Sequence, residues 1–320
     1  MINSFDICYA LNEGYVDYCR VSMVSLLENN RDSKITFHIL TDLLSDEAHA
    51  RLSSVAQPYG ADVRIYYMDD SKLKGQKTSW SKYSWYRVFA PDVIAENVKE
   101  LLYIDCDVVV MGDISDIFNR KEEDWSVAAV DDYMTIFPNL FMRVGYNQSE
   151  GYFCAGVLLM NLDYFRQYNL SDTILRFALE NPEKILFPDQ DALKCVCKDS
   201  KIRLPLKYGI LDPFYRDERF ARKFADEVKE SIEDPRIVHY AGCAPWITEY
   251  QHHYFADEFW KYAAMIGGIK KRHCCTGLSL FILKTKSICG RLGIKKFYNL
   301  LPLHRLSKEQ IMRKCAKTIS

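Results

Sequence analysis

No apolar run in this sequence suggests a membrane span; Leu278-Ser279-Leu280-Phe281-Ile282-Leu283 is far shorter than a bilayer-crossing helix. The first residues, Met1-Ile2-Asn3-Ser4-Phe5-Asp6, carry neither a basic region nor a long apolar stretch, so no signal peptide is expected. The eleven cysteines include no CxxC pair and no regular framework. Cys195-x-Cys197 and Cys274-Cys275 are too close for easy mutual bridging and lack histidines at a zinc spacing, which points to free thiols in a reducing cytosol. No Gly-rich, Lys- or Arg-bearing phosphate loop follows the first strand-like segment, which argues against a nucleotidyltransferase. Internal repeats and low-complexity linkers are also missing. Acid is almost absent from the end of the chain: from Ile269 onward there are thirteen Lys and Arg and one carboxylate, Glu309.

What remains is the composition of a soluble globular protein, 48% hydrophobic and 27% charged, long enough for one large α/β domain or two smaller ones. Phe5–Leu11, Ile35–Leu40 and Val63–Met68 read as strands. Tyr15–Asn30 and Ser45–Gln57, the latter with Ser45 as N-cap, read as the helices between them. That alternation predicts a parallel sheet of βαβ units. Helical spacing around Trp80–Phe89 makes Trp80, Trp85 and Tyr86 core or pocket wall, and Val127–Val130, Gly156–Asn161 and Ile237–Tyr240 are further strands. Gly267-Gly268 divides a body, 1–266, from a basic tail, 267–320, whose Leu278, Phe281, Ile282, Leu292, Phe297 and Tyr298 fit amphipathic helices at an anionic membrane surface. No recognised nucleic-acid motif accompanies those charges, so nucleic acid is not an expected partner.

Asp105-Cys106-Asp107 joins two apolar runs, Leu101–Ile104 and Val108–Val110, and a single buried strand would supply both. Carboxylates at i and i+2 of a strand share a face and would need a compensating charge, such as a hard divalent cation. Two turn aspartates in an ordinary loop fit the triplet as well. Other polar residues also follow strands, where α/β sheets bind ligands: Asn12 and Glu13, Asp131 and Asp132, and His239 before Gly242. Two carboxylates and an imidazole would suit Mn²⁺ or Mg²⁺.

In order and spacing these blocks resemble glycosyltransferase family 8, the retaining GT-A enzymes that include bacterial lipooligosaccharide and lipopolysaccharide hexosyltransferases. The resemblance runs through Ala10–Tyr15, Tyr86-Arg87, Leu102–Val110, Tyr152–Leu162, Asp189-Gln190-Asp191, His239-Tyr240-Ala241-Gly242 and Pro245-Trp246. It implies a GT-A, Rossmann-like α/β fold with a mixed central sheet and a C-terminal helical basic tail. It also implies metal-dependent, retaining transfer of a hexose, galactose or glucose, from a UDP-sugar to a saccharide or glycolipid acceptor. The expected place is the cytoplasmic face of the cell membrane, in surface-polysaccharide synthesis.

By resemblance, Asp105, Asp107 and His239 hold the metal, with Cys106 between them at the nucleotide. Ala10, Asn12 and Tyr15 meet uracil and ribose, and Arg87 meets donor sugar or phosphates. Cys154, Ala155 and Gly156 line the sugar pocket, Asp131 touches donor sugar or acceptor, and Gly242 closes the nucleotide site. Gln190 lies beneath the anomeric carbon, flanked by the candidate nucleophiles Asp189 and Asp191. Three departures stand out. Asn12 replaces a common aspartate, and Cys154 replaces the asparagine that commonly precedes Ala-Gly. Gly242-Cys243-Ala244-Pro245-Trp246 is one residue short and lacks the lysine of the family's Lys-Pro-Trp, removing a cationic contact to the leaving diphosphate. That loss leaves open a sugar-nucleotide-binding protein with little or no transfer.

Overall fold

The computed structural model describes residues 3–73, 81–119, 121–145, 150–242, 244–247, 253–269 and 306–316. Its strands, in chain order, are β1 Ser4–Ala10, β2 Lys34–Thr41, β3 Asp62–Tyr67, β4 Glu100–Ile104, β5 Val108–Val110, β6 Val127–Asp131, β7 Phe153–Asn161, β8 Lys201–Arg203, β9 Ile210–Leu211 and β10 Ile237–His239. Seven form a sheet in the order β3-β2-β1-β4-β7-β6-β8, and three form a small one, β5-β10-β9. The predicted parallel βαβ order holds through β1, β2, β3 and β4. Then β7 enters antiparallel to both β4 and β6, so the sheet is mixed. Strands β8 and β9 were not anticipated, because two or three residues are too few to carry a periodicity.

Both faces of the large sheet are covered. Leu102 and Ile104 join one core cluster while Leu101 and Tyr103 join the other. This explains why β4 reads as a continuous apolar run with no alternation. Helices α1 Val16–Asn29 and α2 Asp46–Ala56 supply residues to the first cluster, α3 Leu170–Glu180 and α4 Pro188–Cys197 to the second. Ser45 caps α2 as expected, its Oγ accepting from the Ala48 N–H at 3.1 Å. Trp85 and Tyr86 are buried, and Trp80 lies outside the described residues.

One expectation is corrected. Asp105-Cys106-Asp107 does not continue a strand: β4 ends at Ile104 and β5 begins at Val108 in the other sheet. Carboxylates inside a strand covered on both faces would be cut off from water and cation, and the turn brings them to an edge instead. The short β5 is held at that crossing by α1. The Val110 N–H donates to Ser25 Oγ (2.9 Å), and its carbonyl accepts from Asn29 Nδ2 (3.0 Å).

Three later helices, α5 Ala225–Glu233, α6 Ala256–Ile266 and α7 Lys308–Ala316, complete the described body. Gly267 and Gly268 follow α6 with φ of +66° and +81°, where a side chain would be strained. Most of the basic tail, 270–305, lies outside the described residues. Helix α7 packs against α5 and the helix Glu218–Lys223, burying Ile311 and Cys315, and Lys314 Nζ donates to the Arg216 carbonyl at 2.5 Å. Among the described residues no helix is long and apolar enough to cross a membrane, and seven cysteines are free thiols. Ile311 is fully buried, so Ile311→Ala should destabilise the protein by roughly 2–5 kcal/mol, as urea unfolding monitored by circular dichroism would report.

Candidate active site

Because β7 runs against its neighbours, its first residues lie at the edge where β1, β4 and β6 end. Ala10, Leu11 and Asn12 therefore meet Asp105, Cys106, Asp107, Asp132, Cys154, Ala155 and Gly156 around one cavity of about 510 Å³, with Tyr15 and Gly242 also in its wall. This is the crevice beyond the strand ends where α/β sheets bind ligands, at a size suited to a small molecule.

His239 arrives from the small sheet. Antiparallel pairing sets it opposite Val108, and the next N–H, of Tyr240, donates to the Asp107 carbonyl at 2.8 Å. Its Nε2 stands 3.2 Å from Asp107 Oδ1 and 3.7 Å from Asp105 Oδ2. Ligand atoms of the three residues all lie within 4.8 Å of one another. Two carboxylates and one imidazole fit a divalent cation of the Mn²⁺ or Mg²⁺ kind. Gly156 makes the cluster possible, because a Cβ there would fall 2.1 Å from His239 Cε1 and 2.6 Å from Asp105 Oδ2.

Burial raises the Asp105 carboxyl above its ordinary range despite Arg87. At Asp107 burial also pushes upward, but the His239 charge, the His239 hydrogen bond and a backbone hydrogen bond together hold this carboxyl below the ordinary range. Burial disfavours the imidazolium, yet Asp107 and then Cys154 keep the His239 proton well above the usual histidine range. A metal would therefore displace that proton.

Arg87 is 5% exposed and bridges the two ends of the site. Its guanidinium lies 3.2 Å from Asp105 Oδ1 and 3.1 Å from Asp189 Oδ2, donates to the Ala155 carbonyl, and covers the Tyr103 ring at 4.3 Å. The residue expected to meet donor sugar or phosphates thus lines the cavity while paired with two carboxylates. Downstream, Trp246 stacks on Tyr18 at 4.0 Å, so the shortened segment is still anchored.

Elsewhere in the cavity wall, the Gln190 amide is fixed from both sides. Its Oε1 accepts from the Ala155 N–H (3.1 Å) and its Nε2 donates to Asp132 Oδ2 (3.3 Å). Asp189 lines the cavity, paired with Arg87. Two expected site residues lie elsewhere. Asp191 is fully buried off the cavity, where it accepts from the Leu186 and Phe187 N–H groups (2.8 and 2.7 Å), from Tyr152 and from Arg143 (2.8 Å). Such a carboxylate ties a loop to α4 and is not placed to attack a sugar. Asp131 ion-pairs with Arg203 at 2.6 Å, outside the cavity wall, and Asp132 takes the cavity position. The β6–β7 register shifts between Ala129 and Asp131, so counting along the strand does not reveal which aspartate faces the ligand. Glu13 caps Ser45 and is likewise not in the wall.

A family model, that of glycosyl transferase family 8, matches residues 6–249. The chain belongs to this family. It is a glycosyltransferase with the GT-A fold. A lipopolysaccharide 1,2-glucosyltransferase of Escherichia coli is 27% identical, over 80% of this chain and 77% of that protein. General stress protein A of Bacillus subtilis is 25% identical, over 78% and 90%. The crystal structure of the galactosyltransferase LgtC, in complex with donor and acceptor sugar analogs, superposes with a TM-score of 0.75 at 20% identity, covering 83% of this chain and 98% of that one.

Gly156→Ala should leave the fold intact by circular dichroism while weakening Mn²⁺ binding by at least about tenfold in isothermal titration. In the unmodified protein the same titration should show affinity falling as pH is lowered, because coordination requires His239 to release its proton.

Proposed function

We propose that this glycosyltransferase moves a hexose, glucose or galactose, from a UDP-sugar to a glycan or glycolipid acceptor with retention of configuration, and that it works with Mn²⁺ or Mg²⁺. The observation that carries the reading is the convergence of Asp105, Asp107 and His239 beside Gly156, with Gln190 held against Ala155 in the same cavity. The relatives' names, a lipopolysaccharide glucosyltransferase and a galactosyltransferase, support a hexose and leave the choice between the two open.

Ala10, Asn12 and Tyr15 form the wall suited to uracil and ribose, with Gly242 and Cys106 beside the diphosphate. A divalent cation held by Asp105, Asp107 and His239 would supply Lewis-acid stabilisation for the leaving diphosphate. Arg87 keeps Asp105 and Asp189 in fixed relation. As the sugar becomes oxocarbenium-like, the fixed Gln190 carbonyl dipole and the Asp189 carboxylate face growing positive charge without having to reorganise. Retention then follows from attack on the face the diphosphate leaves, since Asp191 is engaged by four donors and Asp189 by Arg87. Cys154, where an amide is common, leaves one less hydrogen bond to the sugar.

UDP-glucose and UDP-galactose, incubated with and without Mn²⁺, should distinguish the donor by UDP release. Asp105→Asn and Asp107→Asn should each lower that release at least about 100-fold, or about 2.7 kcal/mol in barrier. Equal release by these variants would remove the metal assignment. The segment Gly242–Trp246 favours a second reading, sugar-nucleotide binding without transfer. Tight Mn²⁺-dependent UDP binding by calorimetry, with no turnover on any acceptor, would establish that reading instead.

The basic residues of the tail support docking on an anionic membrane, at the cytoplasmic face. Changing Lys270, Lys271, Arg272, Lys295 and Lys296 to Gln in the full chain should reduce co-sedimentation with phosphatidylglycerol-containing vesicles more than about tenfold. Neutral phosphatidylcholine vesicles should show no such difference.

A further inference from the structure

Tyr15 is a large aromatic residue that the fold leaves 47% exposed in the cavity wall, just ahead of α1. So exposed a ring is held by its neighbours and not by burial. Tyr18, within α1, meets it edge to face, with ring centres 5.6 Å apart and planes at 72°. The Tyr18 ring is itself buried and lies stacked on Trp246 at 4.0 Å and 15°. Behind Trp246 stands Phe259 of α6, at 5.0 Å and 43°. These rings form a column from α6 to the cavity, and of the four only Tyr15 lines the cavity.

The column joins two separate parts of the cavity wall. Ala10, Leu11, Asn12 and Tyr15 continue from β1, whereas Ala241 and Gly242 follow β10 and lead to Trp246. A leucine would fill a core position, but a flat indole stacked on a tyrosine fixes the plane of its partner as well as the distance. A ring held in place before its ligand arrives has less rotational freedom to lose on binding. The shortened segment after Gly242 keeps this stack although it lacks the lysine.

Building on the donor reading above, we propose that Trp246 is a positioning residue for the nucleoside: through Tyr18 it holds the Tyr15 ring ready for the uracil, and it ties that wall to the segment after Gly242. Trp246 touches no substrate itself. Grip on the base is then preset by the core, apart from the carboxylates and imidazole at the diphosphate.

The test compares UDP with inorganic pyrophosphate, which shares the diphosphate and lacks the base, by isothermal titration of the full-length protein with Mn²⁺ present. Folding is checked by circular dichroism. Trp246→Leu should weaken UDP binding at least about tenfold, the scale of a lost base–aromatic stack, while pyrophosphate and Mn²⁺ affinities move less than about threefold. Trp246→Phe, which keeps a ring on Tyr18, should restore UDP affinity to within about threefold of the unmodified protein. In a Tyr15→Ala background, Trp246→Leu should cost less than about a further twofold, because its route to the base is gone. A folded Trp246→Leu with unchanged UDP affinity, equal losses for UDP and pyrophosphate, or losses that multiply with those of Tyr15→Ala would overturn the proposal. Tyr18→Leu replaces Trp246→Leu if the latter does not fold; failure of both would assign the column to stability alone and overturn it too. None of these measurements needs turnover, so a protein that binds UDP without transferring sugar still decides the role of Trp246. An unmodified protein that binds UDP no more tightly than pyrophosphate would instead refute the donor reading, and the positioning role with it.

Discussion

The site depends on one close approach, the His239 ring and the Asp105 carboxylate against the bare backbone of Gly156. Everything that brings the two carboxylates and the imidazole together passes through that contact. The chain must leave β4 at Asp105, cross to the small sheet, and return from β10 with His239 opposite Val108. The antiparallel entry of β7 must also present a residue without a side chain at the meeting point. A mixed sheet is thus part of the chemistry. A parallel β7 would bring its last residues to this edge, and Cys154-Ala155-Gly156 would lie at the opposite one.

Charge organises the rest of the cavity. Arg87 is shared between Asp105 and Asp189, so two parts of the cavity wall are coupled through one guanidinium. Burial works against that guanidinium's charge, and Asp105, Tyr103 and Asp189 outweigh it, leaving it firmly protonated. In such surroundings an electrostatic interaction is stronger than in water, and a change at one partner reaches the others. Turning Arg87 outward would leave two carboxylates without their cation.

Much of this was legible in the sequence, for physical reasons. Buried strands such as β4 announce themselves by apolar runs, and Ser45 by its capping chemistry. The order of Asp105, Asp107 and His239 survives any uncertainty about strand ends. What was illegible depended on register and on tertiary pairing. Asp131 and Asp132 are adjacent and chemically identical, and an irregularity in β6 decides between them. Asp191 looks like the second carboxylate of an Asp-Gln-Asp motif until its four donors are seen. Cys106 and Gly242 do lie in the wall, while the strand predicted through the triplet is broken by the change of sheet.

The docking of α7 changes what the end of this chain is for. Leu306, Ile311 and Cys315 belong to the same apolar cluster as Phe259 and Tyr262 of α6, so the last described helix is built into the body's own core. Ending the chain after α6 would therefore take away more than charge: it would uncover the apolar surface that these three side chains cover.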